Sequence, residues 1–220
     1  NVFLGNYTGA NNTTGSSNVF LGNEAGLANT IGNWNIFLGD GAGAENTIGE
    51  ANIFIGDASG YSNQSGNYNM FLGSDAGFSN TIGISNVFIG DGAGYTNTNG
   101  QENIIIGAAA GYSNTTGSTN LILGPQAGYS NISGSSNVFI GPNAGYYELG
   151  SDKLYIDNSD TSSPLIHGDF ATDKVTINDV LRLTPRAPAP ASPIEGEMYI
   201  NCSNHHIYCY LNGVWVQLDN

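Results

Sequence analysis

Few residues of this 220-residue sequence carry side chains suited to chemistry, and they fall into three groups. Asp40, Asp57 and Asp91 share the sixth place of a 17-residue repeat. Asp40 and Asp57 belong to consecutive repeats, where stacked carboxylates could stand at the separation used by retaining glycosidases or hold Ca²⁺. A solvated corner is the simpler account and the favoured one. The second group is Cys202, His205, His206 and Cys209, whose ligand types suit zinc. Neighbouring residues of a strand point to opposite faces, however, so His205 and His206 cannot easily share one ion. His206, Asp40 and Asp57 remain the only metal candidates, and none is assigned as a ligand. The third group is aromatic. Tyr61, Tyr95, Tyr112 and Tyr129 recur at the tenth place of the repeat, and Trp215 lies near the C-terminus. The four tyrosines could stack on a sugar at a surface or fill a wide corner of a coil, which is preferred; Trp215 belongs to a small terminal knob that could touch a receptor or clamp a trimer, the clamp being preferred.

No catalytic set or cofactor site emerges. GDGAG at Gly39–Gly43 and Gly90–Gly94 lacks the Lys-[ST] of a phosphate loop. Residues 1–150 contain no His, so a Ser-His-Asp arrangement cannot be built there. All four basic residues (Lys153, Lys174, Arg182, Arg186) follow residue 150, and the net charge is −14. Nucleic-acid binding needs cations on phosphates and is not expected. No run of 18 apolar residues is present, so no membrane insertion is expected.

The elements that position these residues are set by a repeat. From Asn1 the sequence reads N-[VI]-F-[LI]-G-x-x-A-G-Y-x-N-T-x-G-x-x, with eight complete units of 17 residues and a ninth that departs after Tyr147. A gapless period means identical units stacked in register. Three glycines and a β-branched apolar run per unit argue against helix. The spacing predicts an all-β parallel β-solenoid, with one strand over places one to four and a second short strand near A-G-Y-x-N. Coils stacked at about 4.8 Å give a shaft of roughly 40 Å. Asn recurs at place one in all nine units and at place twelve in all eight complete ones. Such columns form amide ladders and satisfy corner backbone groups. The chain opens on a repeat boundary at Asn1, from which a preceding segment is expected.

Side chains alternate across a strand, so places two and four (Val, Ile, Leu or Met) share a face and are expected to form the solenoid's own core. Place three then faces outward as an unbroken apolar column: Phe3, Phe20, Phe37, Phe54, Phe71, Phe88, Ile105, Ile122 and Phe139. A stripe of that length is more than a soluble monomer exposes. The column is therefore expected to be an interface between identical parallel chains, preferably three.

The units N-V-F-I-G-x-x-A-G-Y-x-N, as in Asn86-Val87-Phe88-Ile89-Gly90 and Asn137-Val138-Phe139-Ile140-Gly141, resemble the head repeats of trimeric autotransporter adhesins. Those read roughly S-V-A-I-G-x-x-A-x-A-x-G and form a β-roll with three chains to a head. The likeness covers residues 1–150. With the segment Lys153–Asn178, the sequence is also similar to bacteriophage tail fibres and to fibres of contractile injection systems. The resemblance implies a homotrimeric attachment fibre at an extracellular, cell or particle surface, with a surface glycan or protein as partner. Two other functions are kept beside it. A tail-spike-like polysaccharide depolymerase would use the paired Asp column. A monomeric ice-binding solenoid would need regular Thr arrays, yet place thirteen is Thr30 and Thr47 but Gln64 and Ile132.

Beyond the shaft (1–150), residues 151–184 read as a β-rich neck or cap with short strands at Lys153–Asp157, Pro164–Gly168, Lys174–Asn178 and Val180–Thr184. Residues 185–195 form a Pro-rich linker. Residues 196–220 form a small three-stranded meander, with strands at Met198–Asn201, Ile207–Leu211 and Val214–Leu218 and a tight turn at Asn212-Gly213. Cys202 and Cys209 face each other if the first hairpin centres on His205-His206, and do not if it centres on Asn204-His205.

Overall fold

The structure is a computed structural model describing residues 1–178, 180–186 and 188–219. It divides into two units, Asn1–Asn178 and Asp179–Asn220.

The first unit is a parallel β-solenoid. Each coil contributes one three-residue strand: β1 (Val2–Leu4), β2 (Val19–Leu21), β3 (Ile36–Leu38), β4 (Ile53–Ile55), β5 (Met70–Leu72), β6 (Val87–Ile89), β7 (Ile104–Ile106), β8 (Leu121–Leu123) and β9 (Val138–Ile140). Every residue pairs with its counterpart one repeat on, as Phe54 does with Phe71. The twelve strands of this sheet follow chain order. β10 (Lys153–Ile156) continues the parallel stack against β9. The chain then reverses, and β11 (Ile166–Asp169) and β12 (Lys174–Ile177) add antiparallel strands at that edge. Residues 180–184, expected to be a strand, form none.

The inside and outside of the shaft are the reverse of the sequence expectation. Phe20, Phe37, Phe54, Phe71, Phe88, Ile105, Ile122 and Phe139 are at most 1% exposed within the single chain and constitute its core. Only Phe3, in the first coil, is partly exposed. This column is therefore not an interface between chains. From Phe3 to Phe88 the rings stack at centroid spacings of 4.7–4.9 Å. The physical reason is the small residues opposite them. Place eight is Ala in most coils, and place nine is always Gly. A Cβ built on Gly77 would lie 2.5 Å from Phe71 Cε2. The lumen holds one large side chain per coil and little else. Places two and four instead point outward and are half-buried or exposed.

The second strand expected near A-G-Y-x-N is a series of turns. Places seven and nine both take positive φ, as at Ala58 (49°) and Gly60 (58°), which interrupts any extended run. Coils remain hydrogen-bonded through these turns, with Gly43 N donating to Ser59 O at 3.0 Å and Ser62 N to Phe78 O at 3.0 Å. The corner glycine at place five is obligatory. Gly56 has φ 137°, and a Cβ there would strike Gly73 O of the next coil.

Two buried asparagine ladders hold the remaining corner. Asn52 Nδ2 donates to Gly66 O at 2.8 Å, and Asn52 Oδ1 accepts from Asn69 N at 2.9 Å. At place twelve, Asn63 Nδ2 donates to Asn46 Oδ1 at 2.7 Å and to the same Gly66 O at 3.1 Å. The glycine carbonyl at place fifteen is thus clamped by both columns.

The second unit holds an antiparallel meander of β13 (Met198–Ile200), β14 (Ile207–Leu211) and β15 (Val214–Gln217). Asn212 and Gly213 both take positive φ, as a two-residue hairpin requires. Residue 186, within the segment expected to be a linker, bridges Asn201, with Arg186 N donating to Ile200 O at 2.8 Å. Met198 pairs with Cys209 and Ile200 with Ile207, so the first hairpin centres on Ser203-Asn204. Cys202 and Cys209 are therefore not opposed, and both are free thiols.

Candidate functional site

Each group of candidate residues lands differently. Asp40, Asp57 and Asp91 stand exposed on the turn after the corner glycine. Asp40 extends a polar ladder, accepting from Asn23 Nδ2 at 2.9 Å, and Asn23 Oδ1 accepts from Asn6 Nδ2 at 3.1 Å. Half-buried Asp75 lies beside this column, and its carboxyl is held above the usual range by burial first, then by the charges of Asp57 and Asp91. The three exposed carboxylates line an open edge of the coil. His206 Nδ1 lies 3.4 Å from Asp219 Oδ2, and His205 sits at the hairpin end with φ 64°. Among the described residues no group of three His, Cys, Asp or Glu side chains is placed to hold a metal ion. The place-thirteen hydroxyls are turned to backbone, as when Thr47 Oγ1 donates to Gln64 O at 2.8 Å, so they do not form a free Thr array.

The aromatic column forms a second stack. Tyr61, Phe78, Tyr95, Tyr112, Tyr129 and Tyr146 lie face to face at 4.9–5.3 Å. Face-to-face packing covers both faces of every internal ring, so Phe78, Tyr95, Tyr112 and Tyr129 offer only edges to solvent. Trp215 is likewise engaged, edge-on to Tyr199 at 4.7 Å and to Tyr210 at 5.3 Å.

The stack ends at a cavity of about 380 Å³ lined by Gly145, Tyr146, Tyr147, Glu148, Tyr155, Asp160, Thr161 and Ser162. It exists because the repeat is broken there. Glu148 occupies place twelve of the ninth unit, where other units have Asn, and Gly150 follows it by two residues where Gly134 follows Asn131 by three. Asn131 Nδ2 donates to Glu148 O at 3.0 Å and to Gly150 O at 3.1 Å, so the backbone still closes the coil. The Glu148 side chain is fixed by two donors, Gly150 N at 2.6 Å and the Tyr155 hydroxyl at 2.8 Å. Tyr155 pairs with Phe139 in the inward column and meets its ring edge-on at 5.6 Å. It thus ends the hydrophobic core and orients the cavity's carboxylate. After β10 the chain turns away, and residues 160–162 border the space where another coil would have placed a ring. Sequence reasoning missed this site. Its one signal is the exchange of Asn for Glu at an otherwise constant place.

Burial first, then the hydrogen bond to Glu148 and its charge, push the Tyr155 phenol up to about 12. An unfolded tyrosine titrates near 10. The folded chain therefore keeps this proton when the unfolded chain has lost it. The stabilisation is complete below pH 10 and is lost as pH rises through about 12. Absorbance titration of phenolate should show that the last tyrosine to ionise disappears in Tyr155→Phe.

Comparison with protein-family models, characterised proteins and solved structures finds no match. Among the described residues, no helix is long and apolar enough to cross a membrane.

Proposed function

We propose that this chain is a non-enzymatic structural or adhesive fibre segment, outside the cell or on a particle surface, whose sister chains associate as a homotrimer through the outer face of the solenoid sheet. The observation that carries this reading is the two-column strip at places two and four. It contains only Val, Ile, Leu and Met in nine successive coils. Ile55, Met70, Ile104 and Ile106 are each more than a third exposed within the chain, and Trp34 and Tyr68, two residues ahead of β3 and β5, are exposed as well. Sheets that stay monomeric carry charge on their solvent face as protection against association, and this face has none. A second copy has the same rung spacing and matches it along its whole length. The sequence resemblance to trimeric adhesins and fibres supports three copies, and attachment to a surface glycan or protein, as the outcome.

Light scattering or native mass measurement tests the assembly. The full chain should run as a trimer at micromolar concentration. Ile55→Lys with Ile106→Lys should give a folded monomer, since both side chains point away from the core and a buried ammonium costs several kcal/mol in an apolar interface. A wild-type monomer with unchanged β-sheet circular dichroism rejects the reading.

A further inference from the structure

The geometry points to the cavity at the end of the aromatic stack as a binding site for an organic ammonium group, the cationic end of an amino sugar, a choline headgroup or a lysine-like amine. This site is separate from the apolar sheet face and does not rest on chain association.

Three tyrosines and two carboxylates define the chemistry. Tyr146 has Tyr129 on one face, at 5.0 Å, and the ring of Tyr147 edge-on to it at 4.7 Å. Tyr155 closes the floor, and Glu148 and Asp160 supply negative charge. Aromatic faces and edges arranged about a small space attract cations through the ring quadrupole, more strongly where water is excluded. Hydrogen bonding gives the same sign. The Tyr155 proton is already directed to Glu148, so the phenol oxygen is left as an acceptor. The Glu148 carboxylate accepts two hydrogen bonds of about four that a carboxylate can take. At Glu148 a ligand that donates is favoured, and the two carboxylates favour one that is positively charged. Its nearest basic competitor, Lys153, is held by Asp169 at 2.9 Å. Tyr147, in the cavity wall, is 67% exposed. The volume lies at the small end of the range for ligand sites, about 300–1,000 Å³, and suits one headgroup or one sugar unit rather than an extended chain.

The test uses the full chain and three probes: choline, glucosamine and Nα-acetyl-lysine methyl ester. Their neutral partners are 3,3-dimethylbutanol, glucose and Nα-acetyl-norleucine methyl ester. Tyrosine ring resonances are followed by NMR up to about 50 mM ligand, a range chosen for a weak single-headgroup site. At least one ammonium probe should saturate and shift the rings at the cavity, with its neutral partner at least tenfold weaker. Asp160→Asn and Tyr147→Ala alter exposed residues and should each weaken binding about fivefold, and added salt should weaken it further. Preference among the three probes identifies the source of the ammonium, and equal binding supports the shared chemistry. Equal binding of the neutral partner, insensitivity to both substitutions, or no shift with any probe overturns the proposal. Light scattering on the same samples reports chain association separately, so failure of one reading is distinguishable from failure of the other.

Discussion

Phe71→Ala should lower the unfolding free energy of the solenoid by about 3–5 kcal/mol, the range for deleting a fully buried aromatic ring. Phe71 is wholly buried, stacked between Phe54 at 4.9 Å and Phe88 at 4.7 Å. Gly77 abuts the ring and has no side chain to move into the void. Both neighbouring rings also lose a stacked partner, worth about 0.5–1.5 kcal/mol per pair beyond area. Two controls make the result diagnostic. Phe71→Ile should cost far less, because Ile105 and Ile122 already occupy the same column in other coils. Leu72→Ala, one residue along the strand and pointing outward, should cost about 1 kcal/mol or less in the dissociated chain. Guanidinium unfolding followed by circular dichroism reads all three. If Leu72→Ala proves as damaging as Phe71→Ala, the assignment of inner and outer faces fails. Because each coil touches only its neighbours, a central defect should also broaden the transition or split it in two.

Much of the architecture is readable from residue spacing. The 17-residue period gives coil length and parallel stacking, Asn at places one and twelve gives the ladders, and Asn212-Gly213 locates the last hairpin. Which face is inside is harder. Strand alternation separates Phe71 from Met70 and Leu72 but carries no sign, and both sets are apolar. The deciding signal lies six residues further on, at Gly77. A glycine that recurs with a phenylalanine at fixed spacing is clearing room for the ring, and reading it would have turned the Phe column inward. The turns at places six to eleven were hidden because, of their two left-handed positions, place nine is always Gly but place seven is Gly in only two units, at Gly41 and Gly92. Elsewhere it is Tyr7, Glu24, Ala58, Asp75, Ala109, Gln126 or Asn143, all with positive φ. These residues accept the conformation because the coil-to-coil hydrogen bonds impose it. The cavity was illegible for another reason. It depends on where the chain goes after β10, and the loop bordering it follows no repeat.

Asn69→Ala should cost about 2–4 kcal/mol, although it removes no apolar contact. Asn69 Oδ1 accepts from Asn86 N at 3.0 Å, and that buried N–H loses its acceptor in the variant. Asn69 Nδ2 donates to Gly83 O at 2.8 Å, a carbonyl that keeps a weaker bond from Asn80 Nδ2 at 3.2 Å. The damage therefore concentrates on one orphaned donor. Asn69→Asp separates the roles of the two side-chain atoms. It preserves an acceptor for Asn86 N, but when ionised it cannot donate to Gly83 O, and its charge is buried. Burial and the facing carbonyl both favour the protonated acid, raising the folded pKa of the new carboxyl above its unfolded value near 3.9. Its stability relative to Asn69→Ala should thus be greatest at pH values below 3.9 and fall as pH rises through the folded pKa. Urea unfolding at several pH values, with each variant compared against wild type at the same pH, measures this directly. A pH-independent gap between Asn69→Asp and Asn69→Ala would mean that the donor half of the amide contributes nothing. Asn23→Ala, at the sixth place, removes only solvent-exposed side-chain hydrogen bonds and should change stability by no more than about 0.5 kcal/mol. That contrast is what divides the asparagines that build the coil from those that decorate it.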